Sequence, residues 1–372
     1  MKKQLIIIIL ISSFATGVTA QNNIITTGVP YMRIGADARA GGMGDVGVAT
    51  SADAASIFWN SAKSLFASKP LHIGLNYTSW FREVGANDIY LMSTSGYKKI
   101  NDQSSITGGI RYFSQGTIKV TSPSGDILSV YRPRDWDLSF GYNRKVNAKL
   151  GIGVTLRYIN SNLSAGGNGS SGFYAKSTNT VAGDISLFYK GENEKGAGLN
   201  WGLNISNLGA KMSYKNTAST DKDYLPANLA LGGNYNWVLN EKSKFSLAID
   251  VNKLLVPIFP QASGNSTTDS LNMIEYRKGT VVNSWFKSFS DGGGFFNSLS
   301  YSIGAEFNYN HLFAARIGYY TEDKNRGNRK FFSAGLSVYY NKTGLHLSYL
   351  VPTANSNRNI LANTIRLGLV FE

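Results

Sequence analysis

Side chains capable of acid–base or nucleophilic chemistry are few in this sequence and lie far apart. The 372 residues include three histidines, His72, His311 and His346, and no cysteine. A hydrolase would need a serine activated by a neighbouring base, and a zinc site would need His or Cys ligands at short spacing. Neither pattern is present, so we predict no enzymatic activity, no cofactor and no metal. The histidines are interpreted as solvated residues on polar strand faces or beside a turn.

Acidic and basic side chains recur at positions that would form the polar faces of β-strands. Opposite charges on such faces more often brace the interior of a barrel than perform chemistry. The residues concerned are Asp137, Asp184, Asp250 and Glu306 together with Arg111, Arg157, Arg316 and Arg366.

A glycine-rich string at residues 42–47 matches the G-x-G-x-x-G pattern of nucleotide-binding loops. That function requires a strand before the string and a helix opening on it. Neither is predicted here. The simpler interpretation is a tight chain path, for which glycine permits unusual backbone angles.

Alternation of apolar and polar residues dominates the rest of the chain. In residues 150–158, for example, Leu150, Ile152, Val154 and Leu156 are each followed by Gly, Thr or Arg. Because successive strand side chains point to opposite faces, such a segment has one apolar and one polar face. Fourteen segments show this pattern, at residues 71–80, 87–98, 104–118, 134–146, 148–161, 180–190, 197–208, 227–238, 243–254, 298–309, 311–321, 330–340, 343–351 and 361–371.

A soluble β-sandwich would also alternate, but two features favour a membrane barrel. The segments exceed the usual strand length of about 5–6 residues, and their apolar faces carry aromatic residues near the ends, as interfacial girdles do. Short links follow the even-numbered segments and mostly long links the odd ones. We therefore predict an all-β fold, a 14-stranded antiparallel transmembrane outer-membrane β-barrel. Its long loops would be extracellular and both termini periplasmic.

The chain divides into three predicted parts. Residues 1–20 have the basic start, short apolar run and small residues before position 21 of a secretory signal peptide. Residues 21–70 do not alternate and are predicted to form an N-terminal plug, or hatch, inside the barrel, with short helices capped by Ser51 and Asn60. Residues 71–372 form the barrel, with a long extracellular loop at 255–297.

The net charge of +14 first suggests a nucleic-acid-binding protein. An exported barrel does not meet nucleic acid, and much of the basic charge falls in predicted turns and loops. There it can meet outer-membrane lipid and lipopolysaccharide. The low charged fraction of 16% agrees with strands that face lipid on one side.

The run from Arg33 to Gly44, continued by residues 52–54 and 57–60, resembles the N-terminal signature of the PorV/PorQ family. Further matches at 225–228, 250–257, 327–330 and 348–352 favour the PorV branch. The signature positions are Asp37, Arg39, Gly41, Gly42, Gly44, Trp59 and Asn60. The resemblance covers nearly the whole mature chain and implies a FadL-like fourteen-stranded barrel of the type IX secretion system. Ser61 stands where the family usually has proline, which should keep the helix with a looser start.

The resemblance also implies a function and partners. Such proteins bind cargo carrying a C-terminal sorting domain beside a SprA/Sov-type translocon barrel. They then deliver this cargo to a surface attachment complex containing a PorU-type sortase. The long loop is the predicted cargo- or partner-binding site, because five aromatic residues cluster there beside three glycines: Trp285, Phe286, Phe289, Phe295 and Phe296. Folding of these residues onto the barrel mouth or into the lipid interface is the alternative.

A second function remains open. A FadL-type channel for hydrophobic small molecules would share the barrel and the plug. It predicts an apolar pocket in the lumen, whereas the lumen-facing residues are mostly Gly, Ser and Asn.

Overall fold

The computed structural model describes residues 26–82, 85–163, 177–214, 222–260, 262–290, 294–324, 326–353 and 363–372. The predicted signal peptide at 1–20 lies outside these residues and stays a prediction. Within the described part, no helix is both long and apolar enough to cross a membrane.

Fourteen antiparallel strands form a closed barrel, which confirms the predicted fold class. Each barrel strand pairs with the barrel strands before and after it along the chain, and the first strand closes the barrel by pairing with the last. Every predicted strand is present, with ends shifted by a few residues. The barrel strands are β1 Leu71–Ser79, β2 Ile89–Lys99, β3 Ser104–Gln115, β6 Arg134–Lys145, β7 Leu150–Asn162, β8 Thr178–Lys190, β9 Gly198–Gly209, β10 Asn228–Val238, β11 Ser243–Leu254, β12 Leu299–Tyr309, β13 Phe313–Glu322, β14 Lys330–Tyr340, β15 Thr343–Pro352 and β16 Ile365–Phe371.

The barrel is apolar outside and polar inside. Along β1, Leu71, Ile73 and Leu75 are exposed, whereas His72 and Asn76 on the opposite face are buried. The same alternation runs through β7 and β15. Water would not stabilise an apolar outer surface of this extent, so it is suited to contact with lipid.

The two ends of the barrel differ in the length of their connections. One end, the turn end, carries short links such as 310–312 and 341–342, and the other, the loop end, carries 116–133, 210–227 and 255–298. At the loop end, β4 Ile118–Thr121 and β5 Ile127–Tyr131 form a separate hairpin. This hairpin was not predicted, because its residues do not continue the barrel pattern.

The longest connection is helical where we predicted only a loop. It contains the helices Ser266–Lys278 and Val281–Lys287 and the 3₁₀ turn Phe296–Ser298. Asn265 caps the first helix by accepting bonds from the amides of Thr267 and Thr268, and Thr280 caps the second.

Residues 26–70, here called the N-terminal segment, run along the lumen from the loop end to the turn end. The Gly28 amide donates to the Tyr224 carbonyl in a long connection. Ser64, near the other end of the segment, bonds to Ser105 at the turn-end start of β3. Glu372 also lies at the turn end, where its amide donates to the Lys342 carbonyl. The first and last described residues therefore lie at opposite ends of the barrel.

Short helices form within this segment, as expected, but one predicted cap is wrong. The elements are Pro30–Arg33, Ala38–Gly41, Ser56–Trp59 and Ser61–Phe66. Ser51 does not cap a helix. The next helix begins only at Ser56, and the Ser51 hydroxyl instead accepts a bond from Arg39.

An apolar cluster surrounds the start of the N-terminal segment at the loop end. Val29, Tyr31 and Met32 pack there against side chains from β2, β3, β7 and β13–β15. The Tyr31 and Phe113 rings stack at 5.8 Å between centroids. Burial of these rings fixes the loop-end portion of the segment inside the barrel.

Candidate functional site

The signature residue Asp37 organises the middle of the N-terminal segment. One carboxylate oxygen accepts the Ala40 amide at 2.8 Å and thereby caps the helix Ala38–Gly41. The other accepts a bond from the Trp59 indole at 2.6 Å. Asp37 therefore joins two parts of the segment that are twenty-two positions apart.

Arg39 connects this segment to the barrel wall. Its Nε and Nη2 atoms donate to the two carboxylate oxygens of Glu306 on β12, each at 3.0 Å. Its Nη1 atom donates to Asp53 at 3.0 Å. Glu306 also accepts a bond from Arg316 on β13 at 2.6 Å. All these partners are largely buried, so the bidentate pair is shielded from solvent.

The signature glycines permit close contact with the wall. A Cβ atom on Gly42 would lie 2.9 Å from the Gly335 Cα. Gly44 has φ +70° and a Cβ there would lie 2.7 Å from the Tyr319 amide nitrogen. Both positions therefore exclude larger residues, Gly44 by backbone conformation as well as by space. Gly41 contacts the wall beside Arg366 and Ser348.

Asn60 caps the helix Ser61–Phe66, as predicted. Its side-chain oxygen accepts the Ala62 amide, and its Nδ2 donates to the carbonyls of Val48 and Leu187 at 3.1 and 2.9 Å. Ser61 keeps the helix start and exchanges a 3.0 Å hydrogen bond with Ser186.

Three of the four carboxylates predicted to face the lumen pair with arginines of the predicted set. Arg111 bonds to Asp137, Arg157 to Asp184 and Arg316 to Glu306. Asp250 does not pair with an arginine, because it accepts the amides of Gly47 and Val48 at 2.7 and 2.9 Å. Arg366 pairs instead with Asp45 of the N-terminal segment.

Several residues of this interior were not singled out by the sequence. Lys63 is fully buried and donates from Nζ to the Gly47 carbonyl and the Thr50 hydroxyl. Tyr31 donates to Asp137 at 2.9 Å. A charged residue inside the apolar-rich stretch 57–66 is the signal that could have identified Lys63.

At the loop end, the predicted aromatic residues form an exposed surface, here called the aromatic surface: Phe286, Phe289, Phe295 and Phe296. The side chains of Phe286 and Phe296 are 70% and 74% exposed. Phe289 and Phe295 stack at 6.3 Å and Phe295 meets Phe296 edge-on at 5.6 Å. The fifth predicted residue, Trp285, is half-buried and does not share this exposure.

The helix that precedes the aromatic surface is fixed to the barrel mouth. Lys211 donates to the carbonyls of Arg277 and Gly279 at 2.9 and 2.6 Å, and its ammonium lies 3.8 Å from the centre of the Tyr224 ring. The Tyr224 hydroxyl donates to the carbonyls of Tyr276 and Gly279. The end of this helix is therefore held in place just before the chain reaches the aromatic surface.

The histidines lie on the predicted strand faces and at the predicted turn, but the prediction that all three are solvated is wrong. His72 and His346 are buried on the inner face, and His311 is exposed at a turn. Among the described residues no group of three or more His, Cys, Asp or Glu side chains is placed to hold a metal ion.

A closed fourteen-stranded barrel with an apolar outer surface and a polar interior defines an outer-membrane β-barrel protein. A family model described as type IX secretion system protein PorV matches residues 17–261. The chain belongs to this family and is an outer-membrane component of the type IX secretion system. A comparison with curated protein sequences gives no match.

Solved structures share the fold at low sequence identity. The toluene transporter TbuX of Ralstonia pickettii superposes with a TM-score of 0.51 at 13% identity, over 90% of this chain and 96% of that chain. The toluene transporter TodX of Pseudomonas putida gives 0.51 at 14%, over 89% and 96%. A TodX deltaS2S3 mutant, described as a monoaromatic hydrocarbon channel, gives 0.53 at 12%, over 91% and 98%. The likeness identifies the FadL-like architecture.

Proposed function

We propose that this protein binds secreted cargo by its C-terminal sorting domain beside a SprA/Sov-type translocon and carries it to a PorU-type attachment complex at the cell surface. In this proposal the loop end faces the cell exterior. The observation that carries it is the aromatic surface. The family supplies the secretion role, and among the described residues this surface is an exposed group of aromatic rings at the loop end.

Four exposed phenylalanines are more than a folded loop needs for its own stability. Aromatic residues dominate the binding energy of protein interfaces, since each buries a large apolar area when a partner covers it. Lys253 is buried and its ammonium lies 5.4 Å from the Phe289 ring centre, so it supports this ring from below. A partner with apolar anchors would complement the aromatic surface.

The contacts of Lys211 and Tyr224 would affect the free energy with which the aromatic surface binds a partner. Several hydrogen bonds hold the end of the helix in place, so the residues that follow it have less conformational freedom before a partner binds. Less conformational entropy is then lost on binding. The high exposure of Phe286 and Phe296 favours an intermolecular role over a lid that is packed onto the mouth.

We also propose that the N-terminal segment acts as a plug. Its contacts reach inward-facing residues on β1, β2, β3, β6, β8, β11, β12, β14 and β16. A segment bonded to so many strands would obstruct solute flow. The barrel would then serve as a membrane-embedded carrier whose working surfaces are outside the lumen.

A channel for hydrophobic molecules is the second candidate. It is favoured by the fold shared with the toluene transporters and by the apolar cluster around Tyr31 and Phe113. The cavity beneath the loop end does not favour it, since arginine and asparagine side chains contribute to its lining. Transport of toluene by purified barrel in vesicles would support this alternative.

The decisive experiment replaces Phe286 and Phe296 together with serine in cells that depend on this protein for secretion. We expect cargo to accumulate in the periplasm while the barrel assembles normally, as judged by its heat-modifiable mobility in gels. Leu128→Ser is the matched control, because Leu128 is 61% exposed in the β4–β5 hairpin at the same end. Normal secretion by the double variant would reject the aromatic surface as the cargo-binding site.

A further inference from the structure

A cavity of about 140 Å³ lies in the lumen beneath the loop end, between the N-terminal segment and the barrel wall. Its lining includes Arg33 from the segment, Arg111 from β3 and Arg326 and Arg329 from the 323–329 connection. The acidic lining residues are Asp45 and Glu322. A cavity needs about 10–15 Å³ per water by this measure, so it has room for roughly ten waters or one small solute.

The charges around this cavity are unevenly matched. Arg329 forms a bidentate pair with Glu322 through Nε and Nη2 at 2.8 and 2.9 Å. Arg33 reaches the same carboxylate at 3.5 Å, the outer limit of a hydrogen bond. Asp45 is occupied by Arg366 and Arg111 by Asp137. Of Arg33, Arg111 and Arg329, Arg33 therefore has the longest ion-pair distance.

The Arg33 side chain is also partly exposed to water, although it lies inside the lumen. Its side chain is 26% exposed, in contrast to 2% for its partner Glu322. Burial, followed by the neighbouring charge of Arg329, lowers the pKa of the Arg33 guanidinium below its ordinary value. An anion beside Arg33 would relieve this repulsion.

Some polar atoms of the lining residues are buried and unsatisfied within the described part of the chain. Ser302 is 2% exposed and its Oγ has no hydrogen-bond partner there, and the same holds for the Nη2 atom of Arg111, which is 4% exposed. Buried donors without partners cost about 1–3 kcal/mol each, so such atoms usually face a ligand or ordered water.

We propose that this cavity is a binding site for a small soluble oxyanion bearing a phosphate or carboxylate group. Arg33 would supply the charge and the forked donor geometry suited to two oxygens. Ser302 would donate a further hydrogen bond. The ligand would be a small soluble molecule, because the cavity has room for only one small solute. The site would be entered from the loop end, where Arg326, Arg329 and Ser298 border it.

The test uses the mature protein in detergent and equilibrium dialysis with labelled inorganic phosphate. We expect saturable binding of one phosphate per barrel, with acetate as a competitor. Arg33→Gln should weaken binding about ten- to hundredfold, the loss typical of a charge-assisted hydrogen bond. Ser302→Ala should weaken it by a few-fold and provides a second variant if Arg33→Gln fails to assemble.

Arg132→Gln is the matched control, because Arg132 is an exposed arginine at the same end and lies outside the cavity. It should bind phosphate as the wild type does. Absence of saturable binding by the wild type would overturn the proposal. An equal loss of phosphate affinity in Arg33→Gln and Arg132→Gln would overturn the proposal as well. It would indicate that phosphate is attracted to the positive charge of the loop end in general. Secretion does not enter this measurement, so its outcome is independent of the proposed cargo function.

Discussion

Arg39 and Glu306 form a two-bond ion pair that joins the N-terminal segment to β12, with both nitrogen–oxygen distances at 3.0 Å. Glu306 is shared with Arg316, so one carboxylate stabilises two guanidinium groups. Together with the pair of Asp45 and Arg366, it holds the middle of the segment against the wall.

Glu306→Gln should release the segment from the wall. The substitution leaves Arg39 and Arg316 facing each other without their common counter-charge, and breaking a buried pair costs about 3–5 kcal/mol. Hydrogen exchange should accelerate in residues 36–50 while the barrel strands stay protected. Arg39→Gln should have a smaller effect, because Glu306 keeps Arg316. Unchanged exchange in Glu306→Gln would show that the pair does not hold the segment.

Gly44→Ala should open the lumen to ions. The added methyl group meets the Tyr319 backbone, and the φ of +70° costs a non-glycine residue about 1–2 kcal/mol more. We expect higher single-channel conductance in planar bilayers than for the wild type. Gly233→Ala is the control, since no atom lies within 4 Å of a Cβ at that position. Equal conductance in the two variants would contradict a plug role.

Ser61→Pro should leave stability within about 1 kcal/mol of the wild type. Asn60 already has the extended backbone that proline requires of the preceding residue, and proline suits the first helical position. The gain from a stiffer unfolded chain offsets the lost bond to Ser186. Denaturant unfolding monitored by tryptophan fluorescence measures this balance. A loss well above 2 kcal/mol would mean that the Ser186 contact is needed.

Leu156→Arg should impair the barrel by about 2–4 kcal/mol, because Leu156 lies midway along β7 on the outer face and is 68% exposed. Refolding into lipid vesicles gives the free energy of unfolding. Leu128→Arg should change this free energy little, because Leu128 is 61% exposed but lies in the β4–β5 hairpin. Similar effects of the two variants would argue that the outer surface of β7 does not contact lipid.

The sequence predicted the barrel well because alternation is a local signal. The segment at residues 87–98 alternates least regularly of the fourteen, yet it forms the strand β2, since β1 and β3 pair with it on both sides. The parity of the connections identified the two ends without any tertiary information.

Features that depend on distant contacts could not be predicted in this way. The position of Gly28 at the loop end follows from its bond to Tyr224, almost two hundred residues away. Likewise, the pairing of Arg366 with Asp45 rather than with a wall carboxylate requires the packed N-terminal segment. Arg33 belongs to the run that resembles the family signature. Its position beside a cavity could not be predicted, because it depends on contact with the distant carboxylate of Glu322.

The bond between Asp45 and Arg366 has a consequence for biogenesis. Arg366 belongs to β16, the last strand to be made, whose pairing with β1 closes the barrel. The segment that carries Asp45 spans the lumen from end to end and precedes β1 directly. We therefore expect this segment to lie between the strands before β1 and β16 pair. We expect the assembly machinery to close this barrel around its own amino-terminal chain, so that late deletions in β16 and early deletions before β1 should stall insertion at the same stage.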